Sequence, residues 1–356
     1  MDFKNSYTPY IRVKDDVKIV MLDVILALLP GMLIALLVYG LTAFVLIATC
    51  VISAVLAEII FSKIFFNEIT SIKNLSAIVT GILLAFILAP YTPFYVAAFG
   101  GAMAVIFGKL IFGGIGKNRL NPAIVGREFM TVFFPLAMSS PAIWFGNSLN
   151  ISELKIFSFI NNNDFTNYLD KILLNPTGAL GEVSVLALIA GGIYLLLKNR
   201  ISWHIPTALF STVFIVSLFV KEADISLGGL MLAGIFMATD MPTSPTYSWG
   251  KFYYGVMMGL TMAIFWKLGI QFEALSYSII ILNIFSKKIN KVFRPVVFGY
   301  KLILIKKIFG ILRISLLIFV FDVIWTFLHR FELIPYVVFI YIIVMSIKLI
   351  SSKKII

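Results

Sequence analysis

Cysteine is nearly missing from this chain: Cys50 is the only one in 356 residues, and it lies inside an apolar run. One cysteine excludes an internal disulfide and any iron–sulfur or zinc cluster built by this chain alone, so Cys50 is expected to serve packing. Histidine is almost as scarce. Neither His204 nor His329 has a partner at metal-ligand spacing, and each is expected to mark a membrane edge. Charged residues are only 13% of the chain against 60% hydrophobic, with a mean hydropathy of +1.01. No soluble core could bury that much apolar surface, so the chain is expected to be a polytopic membrane protein. A net charge of +12 would suggest nucleic acid in a soluble protein. Here the basic residues stand in short gaps between apolar runs, where membrane orientation explains them, and nucleic acid is excluded as a partner. The opening stretch Met1–Asp16 is polar and charged, unlike a cleavable signal sequence; the first apolar run is expected both to target the chain and to stay in the bilayer.

What the chain does have is a series of apolar runs, each bounded by Pro, Gly or charge. The candidate spans are Ile19–Tyr39, Leu41–Phe61, Leu75–Ala89, Phe94–Phe112, Ala123–Ala137, Val183–Leu197, Trp203–Val220, Leu227–Ala238, Phe252–Leu268 and Ala274–Phe285. The connecting segments alternate in basic content. Lys4 to Lys18, Lys63 and Lys73, Lys117 and Arg119, Lys198 and Arg200, Lys251, and Lys287 to Arg294 fall on one side. The positive-inside rule places that side, and both ends of this core, in the cytoplasm. The fold class is therefore expected to be all-α.

One stretch organises the rest. Leu227–Thr246 (LGGLMLAGIFMATDMPTSPT) is apolar over too few residues to cross a hydrocarbon core of about 30 Å as a helix, and it ends in Thr239 and Asp240 before Pro242 and Pro245. A carboxylate there is costly unless it faces protein or water. It either caps a helix end at the membrane surface or lines a cavity or cofactor site. The third span, NLSAIVTGILLAFILAPYTP, resembles this eighth one: both are short, carry small residues, and stop at paired prolines, Pro90/Pro93 and Pro242/Pro245. With five spans per half, the second copy must enter the membrane the other way up, which is the pattern of an inverted repeat whose broken helices meet near the midplane. Asp240, Thr239, Ser76 and Thr80 then supply oxygen ligands for an ion pathway carrying Na+ or a proton.

Gly113–Phe129 (GGIGKNRLNPAIVGREF) is rich in glycine but follows no strand and lacks Gly-Lys-Ser/Thr, so it is expected to be a tight solvent-facing turn rather than a phosphate loop. Asn121-Pro122 would open the next helix with proline in its first turn. Arg127, one turn inside, must pair with Glu128, another acid or an anionic ligand, or snorkel to the surface. Met138–Glu182 is the long polar segment of the outer side, expected to form a loop that covers a site between the halves. The expected division is a core over 1–299, comprising half one to about 137, a loop over 138–182 and half two over 183–299. A membrane hairpin and basic tail follow over 300–356, with Lys306, Lys307 and Arg313 marking an interfacial start.

Five blocks carry a resemblance. SAIVTGILLAFILAP (Ser76–Pro90), FGGIGKNRLNPAIVGREF (Phe112–Phe129), ISWHIP (Ile201–Pro206), GIFMATDMPTSP (Gly234–Pro245) and FRPVVFG (Phe293–Gly299), in this order and spacing, resemble the D subunit of the Rnf electron-transport complex. That family is related to the B subunit of the sodium-translocating NADH:quinone reductase. The resemblance implies a subunit of a bacterial inner-membrane pump that couples electron exchange between ferredoxin and NAD to Na+ or H+ movement. It implies further membrane and peripheral subunits as partners, flavins and iron–sulfur centres spread over them, and two inverted five-helix halves. It also implies FMN joined by a phosphoester to a threonine in an S-G-A-T-P-L-like motif of the outer loop. That motif is absent here. The corresponding stretch is NSLNISELKIF, which puts Ser152 at the threonine position; a serine hydroxyl can take the same phosphoester, although the flanking Gly-Ala and Pro have gone, and Thr166 is the fallback. Asn121 and Arg127 would hold flavin or organise the cytoplasmic end. Thr8-Pro9-Tyr10 stands where the family has S-P-H. The lost flavin motif keeps open a transporter or channel without redox cofactors, or a scaffold subunit that retains the fold.

Overall fold

The computed structural model describes residues 16–65, 74–144, 178–220, 226–295 and 304–353; these are helical or turn, with no strand among them. The chain is a polytopic all-α membrane protein. Among the described residues its longer helices are α1 (Val17–Tyr39), α2 (Leu41–Phe65), α3 (Ser76–Phe86), α4 (Phe94–Gly108), α5 (Pro122–Phe133), α6 (Val185–Leu197), α7 (His204–Ser217), α8 (Leu227–Met237), α9 (Ser248–Lys267), α10 (Ala274–Phe293), α11 (Leu304–Arg330) and α12 (Ile334–Lys353). Among the described residues, α1, α2, the Phe94–Phe112 stretch, α11 and α12 are long and apolar enough to cross a bilayer, whereas α3, α6, α7 and α8 are apolar but shorter. The outward faces match that setting: Leu33, Leu37, Leu41, Phe44 and Ile60 are all more than half exposed, as befits side chains whose solvent is lipid.

Local chemistry explains the ends. Asp16 caps α1 by accepting from the Val17 amide at 2.7 Å. Gly40, at φ +58°, turns the chain directly into α2. Asn121 caps α5 by accepting from the Ala123 amide at 3.0 Å, with Pro122 in the first turn, as the Asn-Pro pair requires. Pro135, which has no N–H to give, closes α5 at Phe133 and starts a separate turn over Pro135–Met138. The expected fifth span, Ala123–Ala137, is therefore shorter than its apolar run. By contrast α10 continues to Phe293, past the expected end at Phe285. Charge was the stop signal, yet Ser286 and Ile289 stay buried while Lys287, Lys288 and Lys291 face outward, so one buried stripe carries the helix past the lysines.

The packing repeats. In the first half α2 lies along α4, which lies along α5; in the second α7 lies along α9, which lies along α10. Gly101 of α4 approaches α2 so closely that a Cβ would stand 2.7 Å from the Cys50 carbonyl, and Gly255 of α9 approaches α7 with 2.6 Å to the Ile205 carbonyl. Cys50 is fully buried in this seam. The α1 and α6 helices meet each other across the halves, pinned by Arg200 Nε and the Tyr194 hydroxyl, which donate to Asp23 at 2.7 and 2.9 Å. The α11–α12 hairpin is one continuous helix, a turn and a second helix, with α11 against α9 and α10 and α12 against α5.

Candidate functional site

The site is built on two interrupted helices. The α3 helix has 11 residues, about 16 Å at 1.5 Å per residue, which is half of a hydrocarbon core. The α8 helix is as short, and its second part, Ala233–Met237, is π-helical. A π segment widens the helix and leaves its carbonyls poorly met by the chain's own amides, an arrangement frequent at functional sites. At its end the Ala238 amide donates to Ala233 O at 2.7 Å, and the Thr239 hydroxyl donates to Ile235 O at 2.5 Å. The Met237 carbonyl is met from outside α8, by the Asn121 side-chain amide at 3.3 Å. The cap of α5 thus doubles as a clasp on the break of α8.

Asp240 follows at once. Its Oδ2 accepts from the Thr243 hydroxyl at 2.9 Å and the Asn118 amide at 3.4 Å, while its own carbonyl receives the amides of Thr243 and Ser244. The next helix begins later, at Ser248, so the carboxylate is held by Thr243 of its own turn and by Asn118 of the loop before α5, and not by a helix end. That loop is the expected tight turn: Gly113, Gly114 and Gly116 have positive φ, and Lys117 is exposed while Asn118 beside it is buried under Asp240's segment.

At the first break the C-terminal end of α3 meets the turn before α6. Leu180 donates its amide to Leu88 O at 2.9 Å, and Gly181 lies on the Phe86 ring, where a Cβ would be 2.6 Å away. Each break is therefore covered by a turn that opens a helix of the opposite half. Both described ends of the 138–182 segment reach this place, since Tyr91 also donates its amide to Ile143 O at 3.0 Å.

The other end of α3 holds Ser76 and Thr80. Asn74 Oδ1 accepts from the Ser76 amide at 3.0 Å and from its hydroxyl at 2.7 Å. The Ser76 oxygen accepts from the Lys109 ammonium at 2.7 Å, which also donates to Glu58 Oε1 at 2.8 Å. Lys109 and Glu58 are 3% and 2% exposed. The Thr80 hydroxyl donates to Ser76 O at 2.9 Å. Ser76 and Thr80 thus lie around a buried ion pair of the first half, and Thr239 and Asp240 at the break of the second; among the described residues no hydrogen bond joins the two sets.

Arg127 links the halves once more. Its guanidinium donates to the Ser276 hydroxyl and, at 3.1 Å, to Glu273 Oε1 at the start of α10. The acid it pairs with is Glu273, not its neighbour Glu128. Asn121 thus meets the Ala123 amide and the Met237 carbonyl, and Arg127 meets Ser276 and Glu273. Ser152 and Thr166, the two candidate flavin anchors, lie outside the described residues.

Sequence reasoning passed over Glu58, Lys109, Asn118 and Glu273. Glu58 and Lys109 carried a usable signal, because a charge inside an apolar run requires a partner. Asn118 and Glu273 stand in loops among other polar residues, and nothing local marks them.

The sequence profile of the NQR2, RnfD, RnfE family matches residues 4–299. The chain belongs to this family. Among relatives of this NQR2, RnfD, RnfE family protein is the D subunit of the Na(+)-translocating ferredoxin:NAD(+) oxidoreductase complex of Acetobacterium woodii, 36% identical over 301 residues, which are 83% of this chain and 94% of the relative. The D subunit of the proton-translocating ferredoxin:NAD(+) oxidoreductase complex of Clostridium ljungdahlii is 31% identical, covering 83% and 96%. The D subunit of the ion-translocating oxidoreductase complex of Alcanivorax borkumensis is 27% identical, covering 85% and 98%. The α11–α12 hairpin lies beyond the residues that the family profile matches.

Proposed function

We propose that this chain is a membrane subunit of an ion-translocating oxidoreductase complex of the bacterial inner membrane, in which electron transfer between ferredoxin and NAD drives Na+ or H+ across the bilayer. The observation that carries this reading is likeness along the whole core to subunits named for that activity. The geometry supports it. Two half-length helices, each clasped by a turn of the opposite half, form an element that can rest in two arrangements, and a change of charge nearby biases one against the other. The loop-charge pattern supports cytoplasmic placement of both ends of the core, and the matched packing of α2–α4–α5 and α7–α9–α10 supports an inverted repeat.

In this reading Asp240 is the ion-handling carboxylate. Thr243 and Asn118 orient it, Asn121 holds the π-helical end of α8 in register with α5, and loss of the Asn118 contact frees the carboxylate for a cation or proton. The test is the complex in inverted membrane vesicles, with NAD+ reduction by ferredoxin and ion uptake followed together. Asp240→Asn is expected to abolish ion uptake and slow electron transfer. Unchanged uptake and electron transfer would remove Asp240 from the pathway, and wild-type electron transfer that moves no ion would refute the function.

The finer reading, FMN joined to Ser152 through a phosphoester, is supported by the place of NSLNISELKIF in the family resemblance. Its test is ultraviolet fluorescence of the denatured polypeptide in a gel. The band is expected in wild type and absent in Ser152→Ala; a dark wild-type band, or one that survives the substitution, refutes the anchor.

A further inference from the structure

A second buried polar cluster lies where α5, α10 and α11 converge. Arg127 and Glu128 come from α5, Glu273 and Tyr277 from the start of α10, and His329 from the last turn of α11. Arg127 is hydrogen-bonded to Glu273 Oε1 at 3.1 Å. Glu128 is 6% exposed, and its Oε1 is buried with no hydrogen-bond partner among the described residues, as is Glu273 Oε2. The two acids and the guanidinium act on one another electrostatically, and Tyr277 feels all three. The Tyr277 hydroxyl meets His329 Nδ1 at 3.0 Å, and His329 is half-exposed beside the polar tip of the hairpin.

The charges do not balance when every acid is ionised. Among the described residues Arg127 is the one permanent cation acting on this cluster, against Glu128, Glu273 and the more distant Glu182, which accepts from the Ser226 hydroxyl. Excess negative charge away from water is costly, and it is relieved by binding a cation or a proton. A buried carboxylate oxygen that meets no donor among the described residues, as Glu128 Oε1 does, is least costly when its group is neutral, and the ligand that makes it so is a proton.

We propose that Glu128 and Glu273, placed about Arg127 at the junction of the two halves, form a proton-binding site, and that Tyr277 and His329 connect it to the outer surface. This rests on the ion-pumping function proposed above and names the ion handled at this junction. In the release step the protonated carboxyl gives its proton through water to the Tyr277 oxygen as the phenol proton passes to His329 Nδ1. His329 then loses the proton on Nε2 to outer water, one proton has left, and the imidazole must return from the Nδ1–H to the Nε2–H tautomer before it can accept again. His329 belongs to the hairpin beyond the family match, so this chain supplies the outer end of the path from a segment of its own.

The experiment uses the assembled complex in liposomes with and without Na+, with proton movement followed by a pH dye, Na+ uptake by a radioactive tracer and electron transfer by NAD+ reduction. Glu128→Gln is expected to slow proton movement relative to electron transfer by about 100-fold, the scale of losing one positioned proton-transfer group, while Glu128→Asp keeps most of it. His329→Ala is expected to slow proton release, with recovery on adding imidazole. Proton movement at the wild-type ratio in Glu128→Gln overturns the proposal. So does a wild-type complex that moves Na+ but no protons, a result that leaves the ion-pumping function standing; a complex that moves neither ion refutes that function instead. Infrared spectra of the purified full-length chain decide the site independently of assembly. A protonated-carboxyl band at neutral pH that Glu128→Gln removes supports it, and absence of that band in wild type overturns it.

Discussion

Replacing Lys109 by methionine removes the cation that meets Glu58 in the middle of the first half. The ammonium donates to Glu58 Oε1 at 2.8 Å and to the Ser76 oxygen at 2.7 Å, and both partners of the ion pair are almost wholly buried. An exposed pair would be worth at most about 1 kcal/mol. Here the substitution leaves a carboxylate with no counter-charge between α2, α3 and α4, and breaking a buried pair on one side costs about 3–5 kcal/mol. Replacing both members together is different, because Lys109→Met with Glu58→Leu removes the desolvation penalty along with the attraction, and such swaps are often neutral or stabilising. The prediction is therefore non-additive: each single variant is strongly destabilised and the double variant recovers most of the loss. The assay is thermal unfolding of the detergent-solubilised chain for wild type, both single variants and the double. A single-variant loss below about 1 kcal/mol, or a double variant that merely sums the two, would refute the claim that this pair is a closed, buried unit.

Three more outcomes follow from the same geometry. Gly101→Ala and Gly255→Ala each push a methyl into a backbone carbonyl of the neighbouring helix and should cost about 1–3 kcal/mol in the same unfolding assay, whereas Gly114→Ala, with open space around it, should cost only its positive-φ strain, about 1 kcal/mol. Arg127→Met strands Glu273 at the junction of α5 and α10 and should destabilise by about 3–5 kcal/mol, with Glu273→Gln restoring most of it. Asn121→Ala removes both the α5 cap and the clasp on Met237 O; a loss near 1 kcal/mol is expected from the cap alone, and protease sensitivity appearing around residues 238–247 would report the freed break of α8.

The covalent sequence is informative where a residue acts on its own backbone. Asn121-Pro122 opens α5 because its side chain and ring act locally, and Pro135 ends it for the same reason. The breaks after α3 and α8 follow from short apolar runs with prolines beyond, which no partner is needed to read. The end of α10 was misjudged because charge was taken as a boundary, although a helix with one buried stripe carries lysines on its other face. Cys50 as packing was visible from its surroundings. What covers each break was not visible, because Asn118 and Asn121 are separated from Asp240 and Met237 by more than a hundred residues of chain.

By itself, then, the order of residues determined an all-α membrane protein with two short, interrupted helices and a carboxylate after one of them, since hydropathy, loop charge and proline act through the bilayer and the local backbone. Only the tertiary structure decided the partners: Lys109 for Glu58 and Ser76, Glu273 for Arg127, Asn118 for Asp240, His329 for Tyr277. A buried charge or amide must be satisfied by something, but many residues of the right chemistry are present, and the choice among them is made by which helices the glycine seams allow to approach.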